Sequence, residues 1–233
     1  MGNGRVSAAR QRGGSRHRLT AKGRATRTRI VAAASRLMLE RGVGRTTIAD
    51  VQHVAEVSAS QLYHYFADKD ALVYAVIEAQ TEDVLGFQST TLAGLDSFTA
   101  LQAWRDDLVD LQRQRNNVGG CPIGTLAGEL SETDEHARGE LAESFARWEQ
   151  LLRNGIAAMR ERGELRADAD PDRLALGLLA AVQGGLLLSQ TRRDTAPLAV
   201  AIDLAIAHLR TLRPFHDVDA SVNDRSSGTG EDA

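Results

Sequence analysis

Apolar positions recur at spacings of three and four along most of this chain, the period of helices that bury one face. Ile30, Ala33, Ala34, Leu37 and Met38 predict a helix over 26–40, stopped by Gly42. Ile48 and Val51 give a short helix an apolar side, Glu56 and Val57 make a turn, and SASQLYHYF forms a second short helix. Leu62 and Phe66 of that second helix, four apart, face inward together. Ser58 caps it, and Gln61 three residues later completes a capping box. Asp68 caps the next helix, which Leu72, Val76 and Ile77 carry onward, and the small polar run over 86–97 predicts a loose connection.

The back of the chain keeps the same period. Leu101, Trp104, Leu108 and Leu111 predict a helix over 99–115, and Pro122 opens a short helix ending near Leu130. Leu141, Phe145, Trp148, Leu152, Ile156 and Met159 line one side of the longest helix, over 135–162, which Gly163 stops. Asp170 with Pro171, and Thr195 with Pro197, open the last two. β-branched alternation is scarce, so the fold class expected is all-α: an N-terminal three-helix head containing a helix-turn-helix, then a C-terminal helical domain for ligand binding and dimerisation. The expected division is a disordered basic arm over 1–25, the head over 26–80, the second domain over 81–213 and a disordered polar tail over 214–233.

Charge changes the picture at one end. A net charge of -3 conceals 13 Lys/Arg against 6 Asp/Glu in residues 1–80, with the balance reversed beyond them. A basic front on an acidic body fits a polyanion partner at the front alone. The polar side of the second short helix (Ser60, Gln61, Tyr63, His64) sits on the apolar feet Leu62 and Phe66, an arrangement suited to a DNA major groove. The Thr47 hydroxyl caps the preceding helix or touches a phosphate, and Lys69 projects near the duplex backbone. The nine basic residues of 1–29, with no acid among them, suit general attraction to phosphates, with entry into the adjacent minor groove or a merely solvated tail as the alternatives.

The last two helices carry apolar residues on several sides. Leu174, Leu178, Ala181, Gly185 and Leu188 on one, with Leu198, Ile202, Ala205 and Leu209 on the other, are the candidate interface with a second copy of the chain. Two heads held about one axis would read the half-sites of a palindrome roughly 34 Å, or a multiple of it, apart. Between head and interface, Trp104, Cys121, Phe145, Trp148, Ile156, Met159 and Gln183 are candidates to line a cavity for a small, largely apolar or aromatic molecule. Gln190, Arg147 and Arg153 are further candidate polar anchors; taken alone, Phe145, Trp148, Met159 and Trp104 each fit plain core better than a cavity wall.

Other chemistry lacks its motifs. The sequence holds no Gly-rich phosphate loop, GxSxG, HExxH or CxxC, and its six histidines form no close metal-binding spacing. No catalytic residue, metal or cofactor is expected. Cys121 is the single cysteine, which excludes an intramolecular disulfide and fits a reducing cytoplasm. The basic start is followed by no apolar run, so a signal peptide is not expected, and the apolar stretch over 174–188 is short for a bilayer. Two further readings stay open: an architectural DNA-binding protein without an effector, and a helical enzyme with a vestigial head.

Residues 26–69, with GVGRTTIADVQHVAEVSASQLYHYFADKDAL at their heart, resemble the DNA-binding head of the tetracycline-repressor-like transcriptional regulators. The resemblance implies an all-helical homodimer paired through its last two helices, with a ligand-responsive central pocket and a double-stranded DNA operator. It implies operator contacts by Thr47, Ser58, Gln61, Tyr63, His64 and Lys69, with Tyr63, His64 and Lys69 mostly on phosphates and Ser58, Ser60 and Gln61 nearest the bases. The segment GGCPIGTLAGE is similar to the subgroup of multidrug-efflux and flavonoid-responsive repressors, which implies an aromatic or drug-like effector.

Overall fold

The computed structural model describes residues 19–214, and among them the only regular structure is nine α-helices. They are α1 (Ala21–Arg41), α2 (Ile48–Ala55), α3 (Ala59–Tyr65), α4 (Lys69–Leu92), α5 (Phe98–Gln114), α6 (Pro122–Leu130), α7 (Glu135–Glu161), α8 (Pro171–Arg192) and α9 (Ala196–Thr211). Helix starts follow side-chain capping chemistry: Thr20, Thr47, Ser58, Asp68, Ser97, Asp134 and Asp170 each accept a backbone N–H of the first turn. Those bonds satisfy donors that a helix end otherwise leaves open.

Helices α1, α2 and α3 pack with the front of α4 into the head, whose centre is Ile30, Leu37, Val51, Leu62 and Leu72, all buried. The remaining helices form the body. α4 belongs to both, because no Gly or Pro break intervenes where the head was expected to end at residue 80. Its back half lies on α7, where the buried hydroxyls of Thr81 and Ser144 meet at 2.8 Å. α8 packs between α7 and α9.

Two expectations are corrected. The first helix begins at Ala21, five residues early, because Thr20 caps it. Lys22 and Arg24 therefore lie on a helix and not in the disordered arm; further along it Arg27 stacks over Phe66, and the Arg29 guanidinium donates to the Ala55 carbonyl at the end of α2. The rest of the expected arm and the expected tail fall on residues 1–18 and 215–233, outside the described residues. The run over 86–97 is not loose up to its end, since α4 continues through Gly86 to Leu92. A lone glycine weakens a helix by only about 1 kcal/mol, and the buried Leu85, Gln88 and Leu92 hold this stretch onto the body.

The residues expected at an interface with a second copy are mostly packed within the single chain. Leu174, Leu178, Leu198, Ile202 and Leu209 are buried by packing inside one chain, Ala181 and Ala205 are half-buried, and Leu188 is exposed. Gly185 serves the same internal contact: a Cβ there would sit 2.8 Å from the Leu198 Cα of α9. The apolar positions left open are the expected Leu188 together with Leu176 and Leu187 on α8 and Val200 and Leu204 on α9. The whole of α8 spans 22 residues, longer than the apolar stretch suggested and enough by length and composition to cross a bilayer, yet here it is packed in the bundle.

Candidate nucleic-acid interface and cavities

The turn between α2 and α3 is set by Glu56, whose φ of 52° and ψ of 50° end α2 in the left-handed conformation. Two capping boxes then fix the helix starts. At α2, the Thr47 hydroxyl donates to the Asp50 carboxylate at 2.6 Å and accepts the Asp50 N–H. Hydrogen bonds from the Thr47 hydroxyl, then from its N–H, hold the Asp50 carboxyl below the usual carboxylate range. At α3, the Ser58 N–H donates to Gln61 Oε1 at 3.0 Å and the Gln61 N–H to Ser58 Oγ at 3.2 Å. Leu62 and Phe66 are buried under α3, and Ser60, Gln61, Tyr63 and His64 stand on its exposed side, Tyr63 at 53% exposure.

These caps define what each side chain has left to offer. The Gln61 carboxamide oxygen is occupied, so its NH₂ is the free part, a donor matched to purine N7, guanine O6 or thymine O4. Ser58 retains its hydroxyl proton. Thr47 has committed its proton to Asp50 and caps α2. Lys69 is half-buried and donates to the Val43 carbonyl at 2.7 Å, leaving two ammonium protons. Thus Ser58, Ser60, Gln61, Tyr63 and His64 share one exposed helix end, while Thr47 and Lys69 flank it with partners of their own.

The head is joined to the body through α6. The Glu129 carboxylate near the end of α6 accepts the N–H groups of both Val43 and Gly44, each at 2.9 Å, across more than 80 residues of sequence. Lys69 holds the carbonyl of the same Val43, so the turn between α1 and α2 is gripped on both sides. Gly42 permits this, with φ of 88° and no Cβ to meet the carboxylate 3.1 Å away. Nothing in the apolar period marks Glu129; its signal is two turn amides placed to receive an anion.

At the other end of α6, Cys121 walls two cavities. The larger, about 540 Å³, lies among α6, α7 and α8, bounded by Gly124, Phe145, Gln183 and Gln190, and its rim is made by the exposed Leu176 and Leu187. The smaller, about 170 Å³, lies within the body among α4, α5, α7 and α8, bounded by Phe87, Gln88, Leu108, Gln112, Trp148 and Leu186. Gly124 makes room for the Gln183 oxygen, which would be 2.9 Å from a Cβ there. Burial pushes the Cys121 thiol up, so it stands as a protonated apolar wall.

The seven expected ligand residues divide. Cys121, Phe145 and Gln183 line the larger cavity, and Cys121 and Trp148 the smaller. Ile156, Met159 and Trp104 line neither and are fully packed core. Of the anchors, Gln190 reaches the larger cavity, while Arg147 pairs with Glu82 and Arg153 with Asp172 on the surface. The pattern did single out neither Gln88 nor Gln112, although both sit where leucines would be expected: Gln112 continues the stripe Leu101, Trp104, Leu108, and Gln88 stands between Leu85 and Leu92. Among the described residues, no group of three or more His, Cys, Asp and Glu is placed to hold a metal ion.

Comparison with known proteins covers both parts of this architecture. Residues 30–76 match the family described as bacterial regulatory proteins, tetR family, and residues 97–205 match the tetracyclin repressor-like C-terminal domain. The chain is 32% identical to the transcriptional repressor KstR2 of Rhodococcus jostii over 146 residues, 62% of this chain and 70% of that one. It is 29% identical to the transcriptional repressor DhaR of a Mycobacterium species over 174 residues, 74% of this chain and 86% of the other. A TetR regulator of Chloroflexus aurantiacus superposes with a TM-score of 0.73 at 26% identity, over 83% of this chain and 98% of its own.

Proposed function

We propose, on the premise that this chain belongs to the tetR family of bacterial regulatory proteins, that it is a homodimeric repressor of transcription released from a palindromic operator by a small molecule. The observation that carries the reading is α3 itself: Ser60, Gln61, Tyr63 and His64 on one exposed side, rigidly seated by Leu62 and Phe66 and braced by the Ser58–Gln61 box. Gln61 and Ser60 contact base edges, Tyr63 and His64 contact phosphates, and the helix-terminal Lys69 adds charge beside them. Thr47 contributes through the N-terminus of α2 that it caps.

The dimer follows from the unpartnered faces of α8 and α9. Leu176, Leu187, Leu188, Val200 and Leu204 on a second copy cover their counterparts about a two-fold axis, giving a four-helix interface. That partner also closes the rim of the larger cavity, whose edge is Leu176 and Leu187. The effector occupies the body cavities, and α6 connects them to the head because it carries Cys121 at one end and Glu129 at the other. Release requires the effector to favour an arrangement of α6 in which the two heads no longer match the operator spacing.

The test is a fluorescence-anisotropy titration of the full chain on duplex DNA flanking its own gene, at fixed salt, with sedimentation of the complex. Saturable binding of two chains per site, at least a hundredfold tighter than to scrambled duplex, supports the reading. Steep salt dependence with no preference between the duplexes supports the architectural alternative and rejects this one.

A further inference from the structure

The smaller cavity carries more chemistry than an apolar pocket needs. Gln88 and Gln112 line it at 2% and 4% exposure, and neither is on the surface. The indole N–H of Trp104 donates to Gln88 Oε1 at 2.7 Å. That bond fixes which way the carboxamide faces, since only its oxygen can accept from an indole. The Gln88 NH₂ is therefore the end left over, and among the described residues it has no acceptor. Trp148 walls the same cavity with its ring, while its Nε1–H is sealed in the packing and has no acceptor among the described residues. The Gln88 NH₂, turned from the indole by that bond, favours a cavity occupant that carries an acceptor, since a donor left unmatched when a ligand displaces water costs about 1–3 kcal/mol.

Size and charge narrow the occupant. An apolar cavity of about 150 Å³ holds a benzene molecule, and this one measures about 170 Å³. Phe87, Leu108, Leu186 and the Trp148 ring provide flat and aliphatic walls. The charged groups lining it, Asp83 and Arg115, are both exposed and of opposite sign, so the interior offers neutral donors and no buried counter-charge for an ion.

We propose that this cavity binds a compact, uncharged one-ring molecule bearing a carbonyl oxygen, which accepts a hydrogen bond from the Gln88 carboxamide, with Gln112 as the second polar contact. The proposal rests on the reading that the body of this chain takes up a small molecule. Trp104 is a positioning residue: it touches the ligand through Gln88 alone. The sequence-level expectation of a largely apolar effector is thereby sharpened to one whose polar atom is required.

The experiment compares two molecules of the same shape, acetophenone and α-methylstyrene, in which the carbonyl oxygen is replaced by a methylene, with benzoate as the charged analogue. Calorimetry and tryptophan fluorescence on the full chain, without DNA, are expected to give one acetophenone per chain, bound at least tenfold tighter than α-methylstyrene or benzoate. Gln88→Leu is expected to remove that preference while keeping α-methylstyrene affinity, which also reports that the variant is folded. Gln112→Leu is expected to weaken acetophenone severalfold, and bound acetophenone to slow alkylation of Cys121 in the unmodified chain. Equal affinity for acetophenone and α-methylstyrene, a preference that survives Gln88→Leu, or no binding of acetophenone at millimolar concentration would overturn the proposal; the last would mean that water satisfies the glutamines. Acetophenone bound without DNA, with operator affinity unchanged by it in a separate titration, would reject release through this cavity and leave the site standing. Release by other molecules with no acetophenone binding would do the reverse.

Discussion

Replacing Glu129 with alanine removes a contact that no other side chain supplies. Its carboxylate accepts two backbone N–H groups at 2.9 Å, one from Val43 and one from Gly44. Hydrogen bonds to a charged group contribute about 1.5–3 kcal/mol each when shielded. Glu129 and Gly44 are exposed and Val43 is buried, so water replaces part of the loss. The expected destabilisation is about 1–2 kcal/mol, and for a chain of this size each kcal/mol shifts the melting temperature by roughly 2–4 °C. Hydrogen exchange read at single amides is the sharper assay. The Val43 and Gly44 amides are expected to exchange about tenfold faster in Glu129→Ala, with the helix interior of α2 less affected. Operator affinity should fall and its response to effector weaken, since α6 would no longer be tied to the head. Unchanged exchange at both amides, with an unchanged melting temperature, would refute the claim that α6 grips the turn.

Three further predictions follow from the packing and the caps. Gly155→Ala on α7 places a Cβ 2.7 Å from the Leu95 carbonyl oxygen and 2.9 Å from its Cβ, so thermal unfolding should show a loss of about 1–3 kcal/mol; a neutral substitution would mean that the connection after α4 yields freely. Asp50 and Asp134 are held below the usual carboxylate range, Asp50 by the Thr47 hydroxyl and Asp134 first by the Ala137 N–H with the Tyr74 hydroxyl adding to it. Each then binds fewer protons folded than unfolded, so their contribution is present above pH 4–5 and lost as the pH falls through the lowered folded values. Melting curves from pH 7 to pH 3 should show a decline at the acid end that is smaller in Asp50→Asn; an identical decline would remove Asp50 from the account. Cys121 in the native chain should react with iodoacetamide far more slowly than in urea at pH 8, because the thiol is buried and its ionisation disfavoured; equal rates would show an open, reactive thiolate.

Helix identity was legible wherever the apolar period and a capping residue agreed, as at Asp134 before α7 or Asp170-Pro171 before α8. An apolar stripe says that a face is covered and not by what. Leu174, Leu178, Leu198 and Ile202 were expected to meet a second chain, and α9 or α7 of the same chain covers them. The residues that remain open, Leu176, Leu187 and Leu204, lie on the other side of the same helices, where the period gives no preference. Composition misled at Lys22 and Arg24, because a basic glycine-poor segment is equally a helix once Thr20 caps it. The polar face of α3 was legible down to the Ser58–Gln61 box because every contact there is within three residues. Gln88, Gln112 and Glu129 were not, since their partners lie 16 or more residues away or inside a cavity, although a glutamine in a leucine register is a signal that can be looked for.

The exposed end of α3 is the centre of the account, and the specificity ratio of Gln61→Ala tests it most directly. Affinities are measured for the unaltered chain, Gln61→Ala and Tyr63→Phe on the operator duplex and on the same duplex with its contacted bases changed, at one salt concentration. The account predicts that Gln61→Ala loses operator affinity by about 1–3 kcal/mol and narrows the gap between the two duplexes, whereas Tyr63→Phe weakens both equally. An unchanged ratio for Gln61→Ala, with both affinities falling together, would contradict base reading by this helix.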